Sequence, residues 1–294
     1  VAGVGDLDAD GYADLLVGGD GVSSWTGAAW LHLGPVSSGS LADAAASFSG
    51  SSRGDAGGYE LGTAGDVDGD GTPDLLLSAV NTDHSGTDAG TVSLFSGTVR
   101  GDHALNDAGA RWLGGATAES VGFDLVAVGD VDADGYDDFV VGGWGPVVEG
   151  AWLVRGDASL LSSGDHTLDT ADTRFDGPAG AAVGGMERGA SIALIGDVDG
   201  DGIDDLAFGA ALSDGGGDDA GGTWILLGTG SGWGATVDLP TAAHTWLQGN
   251  IPGDQLGHTV AGLGDTNGDG LDDFAVGVMR HDNAADDAGA TWLW

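Results

Sequence analysis

Residues 129–143 read GDVDADGYDDFVVGG, and close copies of that stretch occur four more times along the chain. They are GDLDADGYADLLVGG from Gly5, GDVDGDGTPDLLLSA from Gly65, GDVDGDGIDDLAFGA from Gly196 and GDTNGDGLDDFAVGV from Gly264. Successive copies, starting at Gly5, Gly65, Gly129, Gly196 and Gly264, lie 60, 64, 67 and 68 residues apart and align without a gap. A recurring unit of this size marks a repeat architecture, in which each unit buries its apolar surface only by stacking on its neighbours.

The surroundings of each copy share one grammar. A short apolar stretch precedes the Asp loop, as in LVAVGD (Leu125–Asp130) or IALIGD (Ile192–Asp197). After the loop comes an apolar run, such as Leu15–Val17 or Phe139–Val141, which reads as a strand buried on both faces. A polar Gly/Asp-rich loop leads to a Gly-led strand: GAAWLHLG from Gly27, GTVSLFSG from Gly90, GAWLVRG from Gly150, GTWILLG from Gly222 and GATWLW from Gly289. A weaker aromatic–Gly segment closes four repeats, around Phe48, Trp112, Phe175 and Trp246.

Four short strands per repeat and no helical period predict an all-β fold, a β-propeller of five four-stranded blades, the last lacking its outer strand. The expected organisation is a single domain over 1–294, with blades near 1–55, 56–118, 119–184, 185–252 and 253–294. Both a closed five-blade ring and part of a larger propeller fit this count. The uncovered edge at Trp292–Trp294 predicts strand complementation or self-assembly there.

Composition narrows the function classes. Seven Arg stand against 47 acidic residues, for a net charge of −40. That surface repels phosphate backbones and anionic membranes, so neither nucleic acid nor membrane insertion is expected. No apolar run reaches the roughly 18 residues a membrane span needs. The absence of Cys excludes disulfides and Cys–zinc sites. The opening VAGVGDLDADG has no signal-peptide pattern, as expected of a processed precursor or of a piece of a longer chain.

The spacing of the acids gives them a role beyond solvation. In the first loop, carboxylates occupy positions 1, 3, 5 and 9: Asp6, Asp8, Asp10 and Asp14. Gly11 at position 6 allows the chain to fold back around an ion, and Tyr12 at position 7 offers a carbonyl. The later loops repeat this with Asp66, Asp68, Asp70, Thr72 and Asp74; Asp130, Asp132, Asp134, Tyr136 and Asp138; and Asp197, Asp199, Asp201, Ile203 and Asp205. In the fifth, Asp265, Asn267, Asp269, Leu271 and Asp273 keep the pattern, with the Asn267 amide oxygen in place of a carboxylate.

Oxygen-only donors in this number suit a hard cation of calcium's size, so about five calcium ions, one per blade, are expected. Magnesium prefers to keep its waters. An EF-hand would need a bidentate Glu at position 12, where this chain has Val17, Leu77, Val141, Phe208 and Val276. Asp-Gly pairs also make plain hairpin turns, but four acids crowded in every loop would repel one another without a cation.

The pattern GDVDGDGxxDLLxGA followed by a Gly-led aromatic strand resembles the FG-GAP repeat of integrin α-subunits and of many bacterial surface and secreted proteins. The likeness covers essentially the whole chain. It implies calcium between the first and second strands of each blade, held at the positions just named. The Phe-Gly that names the repeat is degenerate here, at Leu61-Gly62, Gly122-Phe123, Arg188-Gly189 and Leu256-Gly257. Integrin propellers have seven blades and this chain shows five.

No Cys nucleophile, GxSxG elbow or HExxH motif appears, and no catalytic residues are expected. His84, His103, His166 and His281 read as solvated loop residues, and His32 as a structural strand residue. Trp30, Trp152, Trp224 and Trp292 recur at one strand position, which marks blade-to-blade packing. Trp25, Trp144 and Trp233 fall in or near loops. The expectation is a calcium-stabilised extracellular recognition or adhesion module. It would bind a protein or glycan partner through the second-to-third strand loops, near Asp20–Thr26, Asn81–Ala89, Trp144–Glu149, Ser213–Gly221 and Arg280–Ala288. A carbohydrate-active propeller, either lectin or lyase, and a structural subunit of an extracellular assembly are the alternatives.

Overall fold

The computed structural model describes residues 1–36, 40–115, 117–145, 148–177, 191–281 and 288–294. Blade 1 holds β1 (Ala2–Gly3), β2 (Leu15–Gly19), β3 (Ala28–His32) and β4 (Ala46–Ser49). Blade 2 follows with β5 (Gly57–Gly65), β6 (Asp74–Ala79), β7 (Thr91–Phe95), β8 (Gly101–Ala104) and β9 (Ala110–Leu113). Blade 3 has β10 (Asp124–Gly129), β11 (Asp138–Gly145), β12 (Val148–Val154), β13 (Gly164–Thr167) and β14 (Thr173–Asp176). Blade 4 has β15 (Ile192–Gly196), β16 (Asp205–Ala210), β17 (Gly222–Leu226), β18 (Thr236–Asp238) and β19 (Thr245–Gln248). Blade 5 contributes β20 (Leu256–Gly264), β21 (Asp273–Val278) and β22 (Ala290–Leu293). Among the described residues no α-helix is longer than four residues, and none is long and apolar enough to cross a membrane.

Within blades 1 to 4 the four main strands are antiparallel neighbours in chain order, as in β5–β6–β7–β9 and β15–β16–β17–β19, and blade 5 has three among the described residues. Their central strands are apolar on both sides because each is sandwiched between two blades. Leu76 of β6 packs toward blade 3, while Leu75 and Leu77 pack toward blade 1. Phe139 and Val141 of β11 face blade 2, and Val140 faces blade 4. Four such cores lie between consecutive blades, and burial of this apolar surface is the main drive for stacking. Among the described residues neither a core cluster nor a strand pair joins blade 5 to blade 1.

The glycine that precedes the third strand in blades 1, 2 and 4 has a steric reason. Gly27, Gly90 and Gly221 sit at φ +78°, +83° and +80°, where side chains are strained. Each makes a parallel bridge to the next blade, and a Cβ there would collide with backbone at Gly57, Val121 and Leu256.

A fifth strand adds what the four-strand reading lacks. β8, β13 and β18 lie in the connection between the third and outer strands of their own repeats. They pair in parallel with β4, β9 and β14 of the preceding blade. His103 and His166 therefore stand in strands rather than solvated loops, stacked on Phe48 and Trp112 of the blade before. The tryptophan register also divides. Trp152 and Trp224 are buried between blades as expected, but Trp30 is half-buried, and Trp292 is 48% exposed where Trp224 is 1%. Trp224 gains that cover from Trp246 of its outer strand, stacked at 5.4 Å.

Candidate metal centre

The five Asp loops all lie at the end of the blades where the first strand passes to the second, so they share one rim. Position 1 folds the loop around itself. Asp6 accepts the N–H groups of Asp10 and Gly11 at 3.1 and 2.8 Å, and Asp130 accepts those of Asp134 and Gly135 at 3.0 and 2.8 Å. Asp197 and Asp265 do the same in blades 4 and 5. Gly11 and Gly135 adopt φ +91° and +96°, the left-handed turn the pattern requires. At position 5, Asp10, Asp70, Asp134, Asp201 and Asp269 each accept the N–H of position 7 at 2.8–3.0 Å.

Position 9 ties the loop to the blade. Asp14 accepts Leu7 N–H and Gly34 N–H, both at 2.7 Å; Asp138 accepts those of Val131 and Gly156 at 3.0 and 2.8 Å. Asp74 and Asp205 repeat the arrangement. Each is buried, and each joins the start of the loop to the end of the third strand.

These loops bring acids together at metal-binding spacing. In blades 1 to 4 one oxygen from each of three carboxylates comes within 4.8 Å of the others: Asp6, Asp8 and Asp10; Asp66, Asp68 and Asp70; Asp130, Asp132 and Asp138; Asp197, Asp199 and Asp205. Oδ1 of Asp66 and Oδ1 of Asp132 are buried without a hydrogen-bond partner. Burial pushes the carboxyls of Asp74 and Asp138 up to about 7 and those of Asp68 and Asp205 upward, with neighbouring loop carboxylates adding to the shift. Buried anions held this close, with oxygens left over, fit a hard divalent cation that would offset both penalties.

Blade 5 departs from the others. Asn267 turns Nδ2 toward Asp273 Oδ1 at 3.2 Å, and Thr266 donates to Asp273 Oδ2 from both its N–H and its hydroxyl. The hydroxyl holds the Asp273 carboxyl below its ordinary value. No acidic trio forms in this loop among the described residues.

Position 8 carries a role the sequence reading missed. Asp137 Oδ2 accepts Asp66 N–H of the preceding blade at 2.8 Å, and Asp272 Oδ2 accepts Asp197 N–H at 3.1 Å. Loop 2 is thus fastened to loop 3, and loop 4 to loop 5; a doubled acid also stands at Asp204-Asp205, so the pattern alone does not single out these two contacts.

The FG-GAP-like repeat model matches residues 6–77, and the FG-GAP repeat model matches residues 256–294. Both ends of the array are thus similar to FG-GAP repeats. Integrin alpha pat-2 of Caenorhabditis elegans is 29% identical to this chain over 240 residues, and integrin alpha pat-2 of Caenorhabditis briggsae is 29% identical over 242 residues. Each alignment covers 78% of this chain and 18% of the relative, so the chain spans less than a fifth of the length of these relatives. The two FG-GAP matches fall on the loop and strands that open the array and on the whole of blade 5.

The opposite rim of the array carries the second-to-third strand loops and the blade-to-blade connections. A cavity of about 350 Å³ opens there, lined by Ser51–Asp55, Asn81–His84, Thr87, Asp88 and Asn106. Arg53 and His84 are exposed beside it, and Trp25 is exposed on the neighbouring loop. His281 behaves differently. It is buried, with Nδ1 2.6 Å from Asp254 Oδ2 and its ring edge-on to Trp292. In blade 3 four residues of the expected loop at Trp144–Glu149 belong to paired strands, since β11 and β12 pair through Trp144↔Glu149 and Gly145↔Val148. The side chains of residues 144–149, the side chain of Arg188 and most of the Arg280–Ala288 loop lie outside the described residues. Trp233 is packed under its loop, edge-on to Phe175 at 5.6 Å.

Proposed function

We propose that this chain is one calcium-stabilised propeller domain of an extracellular, cell-surface or secreted recognition and adhesion protein. It would hold about five calcium ions through positions 1, 3, 5, 7 and 9 of the Asp loops. A protein or glycan partner would sit on the opposite rim. The observation that carries the reading is the recurrence of one acidic loop, with the same internal hydrogen bonds, at the same corner of successive blades. The similarity to integrin alpha pat-2 supports the adhesion class.

The geometry supports this division of labour. The loop rim is committed to internal hydrogen bonds and to acid clusters, while the opposite rim offers an open polar cavity and exposed Arg, His and Trp side chains. Loops displayed on a rigid scaffold are the usual place for binding residues.

The test is calorimetric. Extracellular calcium modules bind with dissociation constants around 10⁻⁴–10⁻³ M, and a ligand at about 100 times its dissociation constant adds about 2.7 kcal/mol per site. EDTA should lower the melting temperature sharply; calcium should restore it and magnesium should do so poorly. An identical melt with and without EDTA would overturn the metal reading.

A further inference from the structure

Blade 3 differs from its neighbours at one position. The residue before the glycine that ends the third strand is Leu33, Ser96 and Leu227 in blades 1, 2 and 4, and Arg155 in blade 3. Gly156, next in the chain, donates to the position-9 carboxylate Asp138 at 2.8 Å, so the Arg155 side chain starts beside the metal loop. Its Nη1 lies 3.0 Å from Oδ2 of Asp132, the position-3 acid of that loop. Nη2 donates to the Trp233 carbonyl of blade 4 at 3.3 Å.

The surroundings hold this pair in place. Gly232 of the blade-4 connection donates its N–H to Val131 C=O at 3.0 Å, inside the loop itself. A Cβ on Gly232 would run into the guanidinium, so the blade-4 backbone closes directly over the ion pair. Asp132 is largely buried, and its second oxygen has no partner. Among the described residues no other Asp loop receives an Arg, Lys or His side chain at ion-pair distance.

We infer that Arg155 is a tethered counter-cation for the blade-3 loop, so this loop binds a divalent cation more weakly than the loops of blades 1, 2 and 4. The inference rests on the metal reading above and assigns a residue that tunes one of its sites. A guanidinium cannot be deprotonated at working pH and stays attached, so it already neutralises Asp132 before any calcium arrives. An incoming Ca²⁺ must displace it from the carboxylate or share that carboxylate at close range, and two like-signed charges a few ångströms apart repel strongly in a partly buried site. Calcium binding at this loop is weakened by the pair, while the metal-free blade gains an ordered interface with blade 4.

The experiment is a calcium titration of the whole chain, by calorimetry in about 0.15 M KCl to screen diffuse binding to the acidic surface, comparing wild type, Arg155→Leu, Arg155→Lys and the double variant Arg155→Leu/Asp130→Asn. Wild type should show a tight class of sites from which loop 3 is missing. Arg155→Leu should bring one further site into that class, tightened by at least about tenfold. Arg155→Lys should stay close to wild type, and the double variant should lose the added site, which locates it in loop 3. In EDTA Arg155→Leu should melt below wild type, and calcium should narrow the gap. Unchanged stoichiometry and affinity in Arg155→Leu, or an equal loss of melting temperature with and without calcium, would leave Arg155 as a blade-to-blade clamp only and overturn the inference. Wild type binding no calcium stoichiometrically would instead overturn the metal reading itself.

Discussion

His166 of blade 3 lies over Trp112 of blade 2, with ring centroids 5.4 Å apart and planes 20° from parallel. The contact belongs to the parallel pairing of β13 with β9, where His166 stands opposite Trp112 and Asp165 opposite Arg111. Arg111 also forms a two-pronged contact with Asp165, through Nε and Nη2 at 2.8 Å each. Blades 2, 3 and 4 thus each latch onto the one before through a strand that costs the chain only a detour in one connection.

The latch predicts unequal effects of three substitutions on thermal or denaturant unfolding. Trp112→Ala opens a core and should cost about 3–5 kcal/mol. His166→Ala removes only the stacked ring and should cost about 0.5–1.5 kcal/mol. Asp165→Ala breaks an exposed ion pair and should cost no more than about 1 kcal/mol, shrinking further in high salt. Equal losses for His166→Ala and Trp112→Ala would show that the latch, rather than the core, holds the blades together.

The four main strands were legible in the sequence because the apolar runs and Gly-led strands follow strand periodicity, and central strands buried on both faces leave an unbroken apolar signature. The latch strands were not, because Gly101–Ala104 and Gly164–Thr167 are short, polar and paired in parallel with another blade. Their signal was the recurrence of Gly-Asp-His at Gly101 and Gly164, which periodicity alone does not reveal. In the loops, spacing announced the acids as a set. It could not show that position 9 spends both oxygens on backbone N–H groups, or that Asp137 and Asp272 reach across to the preceding blade. Those roles depend on which backbone is brought near, a property of the stacked blades and not of a single repeat.

Position 9 and position 5 should therefore respond differently to removal. Asp74→Ala strands the N–H groups of Val67 and Gly97 in a buried setting, at about 1–3 kcal/mol for each. The loss should appear even in EDTA. Asp70→Ala leaves an exposed Thr72 N–H free to bind water, so its melt in EDTA should stay near wild type. With calcium present, Asp70→Ala should lack one site's share of the calcium stabilisation. Paired melts of both variants with and without EDTA check this.

Asp124 of β10 gives the chain a pH dependence outside the metal loops. Burial pushes its carboxyl from 3.8 up to about 6, with the charge of Glu60 from blade 2 adding to the shift. Burial also raises Glu60. The native state then holds more protons than the unfolded chain between about pH 4 and pH 6, so this contribution to stability is full below pH 4, falls as pH rises, and is flat above about 6. The total fall should be on the order of 2–3 kcal/mol. Asp124→Asn keeps an oxygen to accept Ile192 N–H, now made by Asp124 Oδ2 at 2.7 Å. With calcium held constant, it should remove most of that slope and be the more stable protein at pH 7. A wild-type stability that rises across this window would contradict the assignment.

The proposed partner rim is best probed with Trp25, Arg53 and His84. His281 is unsuitable because its ring is buried against Asp254 and Trp292, and replacing it would leave the Asp254 carboxylate buried without its partner. Trp25 is 59% exposed, while Arg53 and His84 border the 350 Å³ cavity and make no ion pair among the described residues. Truncating them removes little packing, so Trp25→Ala and Arg53→Ala should change the melting temperature by no more than the equivalent of about 0.5 kcal/mol. Each should weaken partner binding, most strongly for an aromatic or Arg anchor at the centre of the contact, where losses of about 2 kcal/mol or more are usual. The measurement is binding of wild type and variants to immobilised extracellular-matrix proteins and to a glycan array, alongside a calcium titration of each variant. Full binding by Trp25→Ala, Arg53→Ala and His84→Ala, with binding abolished by changes confined to the Asp-loop rim in calcium, would move the partner to the metal side.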